Sequence, residues 1–168
     1  NEAHTIMAEI EREHNVRVIT QNVDDLHEQA GSHNVLHLHG ELMKVCSSAD
    51  VENPRYWRTL TPETGIVEPG TEAGDGSLLR PYIVFFEEPV PNIEPAIRLV
   101  QKADVMVVVG SSLVVYPAAG LIQYANPGTP IYVIDPSPVD VTHPDVHFIR
   151  ATASEGMRKL RDLLTKTT

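Results

Sequence analysis

The sequence has one cysteine, Cys46, and no long apolar run. An intrachain disulfide is therefore impossible, and cysteine usage gives no sign of an oxidising compartment. The apolar runs at 105–109 and 113–116 are far shorter than the roughly 20 residues of a membrane helix. The chain begins at Asn1, without methionine and without a signal-peptide pattern, which indicates processing or truncation. We expect a cytoplasmic protein.

Positive charge is also scarce. The chain has 13 Lys and Arg against 23 Asp and Glu, a formal net charge of −10. Nucleic acids and anionic membranes carry the same sign as this protein, so we predict that neither is a partner. A cationic peptide fits this charge better. The oligomeric state is left open.

The hydrophobic pattern predicts alternating helices and strands. The chain is 168 residues long and 42% hydrophobic, which is enough for one core. Four segments show helical spacing or helix-end signals: 1–10 with Asn1 as its cap, 92–100 with Asn92 as its cap, 117–128, and a last helix from Thr152. Short β-branched runs predict strands at 16–19, 34–42, 82–86, 105–109, 131–134 and 146–149.

The strands from Val105 onward are almost continuously apolar, as expected when helices cover both faces of a parallel sheet. The fold predicted is α/β, a doubly wound Rossmann-like parallel sheet. The segment 46–79 interrupts this rhythm with many prolines, glycines and acidic residues, which indicates a functional insertion or a flexible flap. We therefore divide the chain into a Rossmann-like domain, 1–45 and 80–168, and an insertion, 46–79.

Polar side chains lie on or just after the first two predicted strands. Gln21, Asn22 and Asp24 come after the first strand, and His39 lies within the second. In α/β proteins ligands bind beyond the carboxyl ends of the strands, where amides donate and accept hydrogen bonds and an imidazole can act as a base. The alternative is structural, with Asn and Asp forming a turn and the histidines lying on a surface.

A second candidate site follows the most apolar strand. The small residues Gly110, Ser111 and Ser112 can bring backbone N–H groups close to a phosphate or ribose. Asp135 ends the next strand and can accept hydrogen bonds from ribose hydroxyls. A Gly-Ser-Ser turn is weak evidence when taken alone.

Four strings together resemble the sirtuins, NAD-dependent protein-lysine deacylases. They are Gln-Asn-Val-Asp at 21–24, His-Gly at 39–40, Arg-Pro-Tyr-Ile-Val-Phe-Phe at 80–86 and Gly-Ser-Ser-Leu-Val-Val at 110–115. They occur in the family's order, and the resemblance runs from Asn1 to the last helix.

The resemblance implies roles for these residues. His39 would activate a ribose hydroxyl as general base after the acyl oxygen displaces nicotinamide from NAD, and water would then release free lysine and an acyl-ADP-ribose ester. Gln21 would contact the ribose, while Asn22 and Asp24 would shape the nicotinamide pocket. The remaining cofactor residues implied are Gly110, Ser111, Ser112, Asp135, Thr152 and Ala153; for the last two, a plain helix cap explains the pattern equally well.

The resemblance also implies an acyl-lysine site. An extended peptide can add itself as a strand to an exposed edge, with apolar side chains lining the lysine stem. The residues implied are Val84, Phe85, Phe86, Glu88 and Val115. Sirtuins carry a zinc ribbon near 46–79, but Cys46 alone cannot supply the four thiolates of such a site, so we predict no zinc and a lone reduced thiol.

Two departures from the family pattern stand out. Glu87 occupies a position where sirtuins have glycine, and we expect about 1–3 kcal/mol of strain or misfit there. The Gly-Ala-Gly-x-Ser phosphate loop is absent from these residues. We therefore expect a sheet incomplete at its N-terminal end, poor NAD binding and little turnover by this chain alone.

Two other functions remain open. A non-catalytic module that binds NAD or ADP-ribose fits the missing phosphate loop, and transfer of ADP-ribose to an acceptor would use the same pocket. A hydride-transferring dehydrogenase is the weakest alternative, because the sequence lacks a Gly-x-Gly-x-x-Gly string.

Overall fold

The computed structural model describes residues 1–110, 118–138, 141 and 143–166. These residues form four α-helices, eight β-strands and two 3₁₀ helices, at Pro54–Tyr56 and Ala118–Tyr124. The α-helices are α1 (Glu2–Glu11), α2 (Leu26–Gln29), α3 (Ile93–Val100) and α4 (Ala153–Lys166). The strands are β1 (Val18–Thr20), β2 (Val35–His37), β3 (Gly40–Ser47), β4 (Arg58–Thr59), β5 (Leu79–Ile83), β6 (Met106–Val109), β7 (Ile131–Ile134) and β8 (Val146–Ile149).

The chain separates into two compact units. Unit 1 comprises Asn1–Ile19, Leu26–Leu36 and Asn92–Thr168, and unit 2 comprises Thr20–Asp25 and His37–Pro91. Unit 2 thus contains the segment 46–79 together with the residues on either side of it.

Unit 1 is built on a parallel sheet of order β6-β7-β8. The central strand β7 is the most buried, since Ile131, Val133 and Ile134 are each at most 1% exposed. Helices α1 and α4 contact each other, and α4 packs on β7 so closely that a Cβ on Gly156 would lie 2.1 Å from Ile134 Cγ2. Helices packed on a parallel sheet give the α/β, Rossmann-like architecture that the sequence predicts. The core cluster comprises Ala3, Ile6, Ile10, Ile134, Met157 and Leu160.

Two of the predicted helix caps are confirmed. The side chain of Asn1 accepts hydrogen bonds from the first-turn amides of α1. The hydroxyl of Thr152 accepts from the Glu155 amide, and the Glu155 carboxylate accepts from the Thr152 amide, which is a capping box at α4. Asn92 stands before α3 as predicted, but its side chain makes no capping bond.

Unit 2 is organised around an antiparallel sheet of order β4-β3-β5. Its buried residues include Val45, Cys46, Ser47 and Tyr82. The Trp57 ring packs on Tyr82 with 4.8 Å between centroids, and the Lys44 ammonium lies 4.8 Å from the Trp57 centroid. This small core therefore contains aromatic rings and a cation.

The predicted strand 34–42 is wrong in one respect, because it is two strands. β2 ends at His37 and β3 begins at Gly40, whose φ of +86° lies outside the range of regular strand geometry and marks the break. The strand predicted over 82–86 lies earlier, at Leu79–Ile83, and the segment after Pro117 is a 3₁₀ helix over Ala118–Tyr124. Strands β7 and β8 have the predicted limits.

Over the described ranges, no helix has the length and apolarity needed to cross a bilayer.

Candidate active site

The His39 side chain is held by the turn that follows β1. Its Nδ1 lies 3.0 Å from the carbonyl oxygen of Gln21, and the Nδ1 of His37 lies 3.0 Å from that of Asn22. A carbonyl can only accept, so each bond requires a proton on Nδ1. In the neutral imidazole of His39, Nε2 therefore keeps its lone pair and can take a proton from a substrate.

The turn itself is fixed to the same unit by backbone bonds. The Asn22 amide donates to Thr20 Oγ1 at 3.1 Å, and the Leu42 amide donates to the Val23 carbonyl at 2.7 Å. Asp24 is half-buried in the same loop. The sequence-predicted group of Gln21, Asn22, Asp24 and His39 thus lies in one compact part of unit 2, as the motif indicates.

The main chain around His39 is pressed against the end of β5. The Val84 amide donates to the His39 carbonyl at 2.9 Å. A Cβ built on Gly40 would lie 2.0 Å from the Tyr82 carbonyl oxygen, far inside van der Waals contact. Position 40 therefore accepts only glycine without displacement of the backbone, for the steric reason and for its positive φ.

The predicted acyl-lysine residues follow β5 in a turn. Phe85 is 51% exposed and Phe86 is fully exposed, whereas Val84 is half-buried. Glu87 has a φ of +72°, the left-handed conformation that the usual glycine would adopt without strain. The strain expected from Glu87 at this position therefore comes from its left-handed backbone conformation.

An ion pair closes this turn. The Arg80 guanidinium donates to both carboxylate oxygens of Glu88, at 2.7 and 2.9 Å. The same carboxylate accepts from the Phe85 amide at 2.9 Å. These charge-assisted bonds, Arg80 first, lower the pKa of Glu88 to about 2, and they raise the pKa of Arg80.

The residues predicted to bind the cofactor's ribose and phosphate lie in unit 1. Gly110 follows β6, Asp135 follows β7, and Thr152 and Ala153 come shortly after β8. The three strands end in register, because Val109 pairs with Ile134 and Ile134 with Ile149. These residues therefore lie along the carboxyl edge of one parallel sheet, where α/β proteins bind ligands. Ser111, Ser112 and Val115 lie outside the described residues.

The Asp135 carboxylate is partly used by its own loop. Its Oδ1 accepts a hydrogen bond from the Ser137 amide at 2.8 Å, and its backbone carbonyl accepts from Ala151 at 3.3 Å. The loops after β7 and β8 are thereby joined. Its Oδ2 can accept from a ligand hydroxyl.

Cys46 lies in β3. It is fully buried, its Sγ lies 3.9 Å from the Pro81 carbonyl, and burial raises the pKa of the thiol. Within the described ranges, no group of three or more His, Cys, Asp and Glu side chains is arranged to hold a metal ion.

Two contributions to the site were missed from sequence. The string at 80–86 contains Arg80 but predicts no role for it, and the spacing of eight residues to Glu88 carries no recognised pairing signal. His37 has no predicted role in the site, yet its bond to the Asn22 carbonyl holds the predicted cofactor turn. The partner of His39 is a backbone carbonyl, which no side-chain pattern reveals.

Comparison with known proteins identifies the family. The family model described as Sir2 matches residues 1–117. The chain belongs to the Sir2 family. An NAD-dependent protein deacylase of Bacteroides thetaiotaomicron is 55% identical over 165 residues, which are 98% of this chain and 70% of that protein. One from Aggregatibacter actinomycetemcomitans is 52% identical over 138 residues, 82% of this chain and 64% of that protein.

Solved Sir2 structures agree with this assignment. A mutant Sir2 homologue in complex with ADP-ribose superposes with a TM-score of 0.79 at 39% identity, covering 98% of this chain and 68% of that one. The chain thus spans about two thirds of the length of these Sir2 proteins.

Proposed function

We propose that this chain carries the base and much of the substrate site of an NAD-dependent protein-lysine deacylase. The observation that supports this most directly is the Gln21 carbonyl 3.0 Å from His39 Nδ1, which leaves Nε2 as the basic nitrogen. The Sir2 relatives named NAD-dependent protein deacylases add to it.

The reaction proposed converts acyl-lysine, NAD and water into lysine, nicotinamide and an acyl-ADP-ribose ester. His39 takes a proton from a ribose hydroxyl through Nε2 and later returns it. The Gln21 carbonyl orients the imidazole by accepting the Nδ1–H hydrogen bond. Asn22 and Asp24 supply amide and carboxylate groups for the nicotinamide side of the pocket.

The residues at the sheet edge of unit 1 fit the ribose and phosphate part of a dinucleotide. Gly110 has a φ of +60° and open space around its Cβ position, so backbone can approach a ligand there. Asp135 is proposed to accept from a ribose hydroxyl, and Thr152 and Ala153 to lie near the adenine. Ser111 and Ser112 complete the cofactor set.

The edge after β5 is proposed to receive the acyl-lysine peptide. The strand ends at Ile83, so the following main chain leaves the sheet and can pair with an extended peptide. The exposed rings of Phe85 and Phe86 supply apolar surface for the lysine stem. Val84 is proposed to extend that surface, and Glu88 holds the turn; Val115 is proposed for the same role from its sequence position alone.

The test uses the protein of the full reading frame with acetyl- and succinyl-lysine peptides. We expect nicotinamide release together with free lysine, and a loss of at least about 100-fold in lysine formation in His39→Ala, the range for a general base. His33→Ala removes an exposed imidazole outside the proposed site and is the control. Binding of ADP-ribose without nicotinamide release would contradict the proposal and favour a non-catalytic binding module.

We further propose a cytoplasmic location. Its support is the chemistry of Cys46, a buried free thiol that a reducing compartment keeps reduced.

A further inference from the structure

Arg80 is the most heavily bonded side chain near the turn after β5. Besides the two bonds to Glu88, its Nη2 donates to the Ile83 carbonyl at 3.1 Å. The guanidinium also lies over the Phe85 ring, 4.7 Å from its centroid. One arginine thus joins the last residue of β5, the first exposed phenylalanine and the end of the turn.

This ion pair is more enclosed than a typical surface pair. The side chains of Arg80 and Glu88 are 20% and 37% exposed, against 55% and 78% for Arg98 and Glu94 on α3. Bidentate geometry and partial burial make such a pair more rigid than the exposed pairs, which contribute little. We call Arg80, Glu88 and the bonds between them the Arg80–Glu88 clamp.

The clamp closes the segment that also holds His39. Ile83 and Phe85, both bonded to clamp atoms, flank Val84, and the Val84 amide donates to the His39 carbonyl. Movement of Arg80 or Glu88 would therefore shift the main chain on which the peptide is proposed to pair. It would also remove the guanidinium from the Phe85 ring, which is otherwise half exposed.

We propose that Arg80 and Glu88 are positioning residues for the acyl-lysine peptide, acting through residues 83–86 rather than by touching the substrate. This rests on the proposed function. The clamp counters the unfavourable left-handed backbone at Glu87 and holds residues 84–86 in one conformation. Peptide binding therefore does not have to order that segment.

The experiment measures KM for an acetyl-lysine peptide and for NAD separately in the protein of the full reading frame. In Glu88→Gln we expect the peptide KM to rise about 10-fold and the NAD KM to change less than about 2-fold. Arg80→Lys keeps the charge but loses the planar fork, so a smaller rise in peptide KM is expected. The double variant should resemble Glu88→Gln, because both substitutions break the same clamp.

The control is Glu94→Gln, which breaks the exposed pair on α3 and should leave both KM values unchanged. Hydrogen exchange at the Phe85 amide should become faster in Glu88→Gln and stay unchanged in Glu94→Gln. An unchanged peptide KM, or equal rises in both KM values, would overturn the positioning role. No nicotinamide release by the unmodified protein would instead overturn the proposed function and this inference with it.

Discussion

Replacing Gly40 by alanine should destabilise unit 2 more than the same change at a glycine of similar conformation. The added Cβ would lie 2.0 Å from the Tyr82 carbonyl oxygen, 2.8 Å from the Tyr82 carbonyl carbon and 2.9 Å from Ile83 Cα. All three are main-chain atoms of β5, so no side-chain rotation relieves the contact. Strand β3 must therefore separate from β5 at this point.

The expected loss in the free energy of unfolding of Gly40→Ala has three parts. A left-handed conformation costs a residue with a Cβ roughly 1–2 kcal/mol. Forcing an extra carbon into a packed site typically costs roughly 1–3 kcal/mol. The hydrogen bond from Val84 to His39 contributes about 1 kcal/mol and would be lost. Together these give a loss of roughly 3–6 kcal/mol in the free energy of unfolding.

Gly70→Ala is the matched control. Gly70 has a φ of +88°, close to the +86° of Gly40, but no atom lies within 4 Å of its Cβ position. It therefore incurs the conformational cost without the clash, and the effect of alanine on the unfolded chain is common to both variants. The difference between the two losses should be about 2–4 kcal/mol.

Urea unfolding followed by tryptophan fluorescence measures this difference. Trp57 is the only tryptophan in the chain, and its ring packs on Tyr82, the residue that the new Cβ would strike. Comparable m-values in the two variants would show that the change lies in folded-state stability. Equal losses for Gly40→Ala and Gly70→Ala would refute the steric reasoning.

Three further predictions concern unit 2. Glu87→Gly should stabilise the protein by up to about 1 kcal/mol, because relief of the left-handed strain exceeds the added freedom of the unfolded chain; a lower urea midpoint would contradict this. The pKa of Glu88 is lowered to about 2 from 4.5, so its contribution to stability is complete above about pH 4.5 and is lost as pH falls toward 2. Acid titration of Glu88→Gln should lack that component, and an identical acid profile would count against the Arg80–Glu88 clamp. Cys46 should react with a thiol reagent only as the protein unfolds, since it is fully buried and its pKa is raised; rapid labelling of the native protein would disprove this.

The sequence predicts best where a segment's own residues decide its structure. β7 and β8 are short, largely β-branched runs, and their predicted limits are those observed. The caps at Asn1 and Thr152 are also local, since their partners lie within three residues. Local chemistry of this kind is visible in a linear pattern.

Main-chain contacts explain the errors. The pattern over 34–42 reads as one strand because its side chains alternate, but the break at Gly40 is set by the Tyr82 main chain, 42 positions away. The displacement of the third strand has a local cause instead, because the Glu88 carboxylate, three residues further on, accepts the Phe85 amide hydrogen bond and so removes that amide from sheet pairing. Hydrophobic periodicity reports neither contact.

The candidate site also has a part that the sequence predicts and a part that it does not. Residue types and their order predict the side chains of the candidate site, and Gln21, Asn22 and His39 lie together in the structure. The groups that hold them are main-chain carbonyls, which every residue carries and which a sequence therefore does not distinguish. The roles of Gly110, Asp135, Thr152 and Ala153 remain predictions.

The pairing of α1 with α4 has a consequence for biosynthesis. Ile6 and Ile10 share a hydrophobic core with Met157 and Leu160. The core of unit 1 therefore cannot be completed until nearly the whole described chain has left the ribosome. At typical translation speeds this delay is roughly 7–30 s after the first helix is made. The main segment of unit 2, His37–Pro91, is synthesised well before then. The first helix therefore stays exposed to chaperones for that interval, with its apolar stripe uncovered.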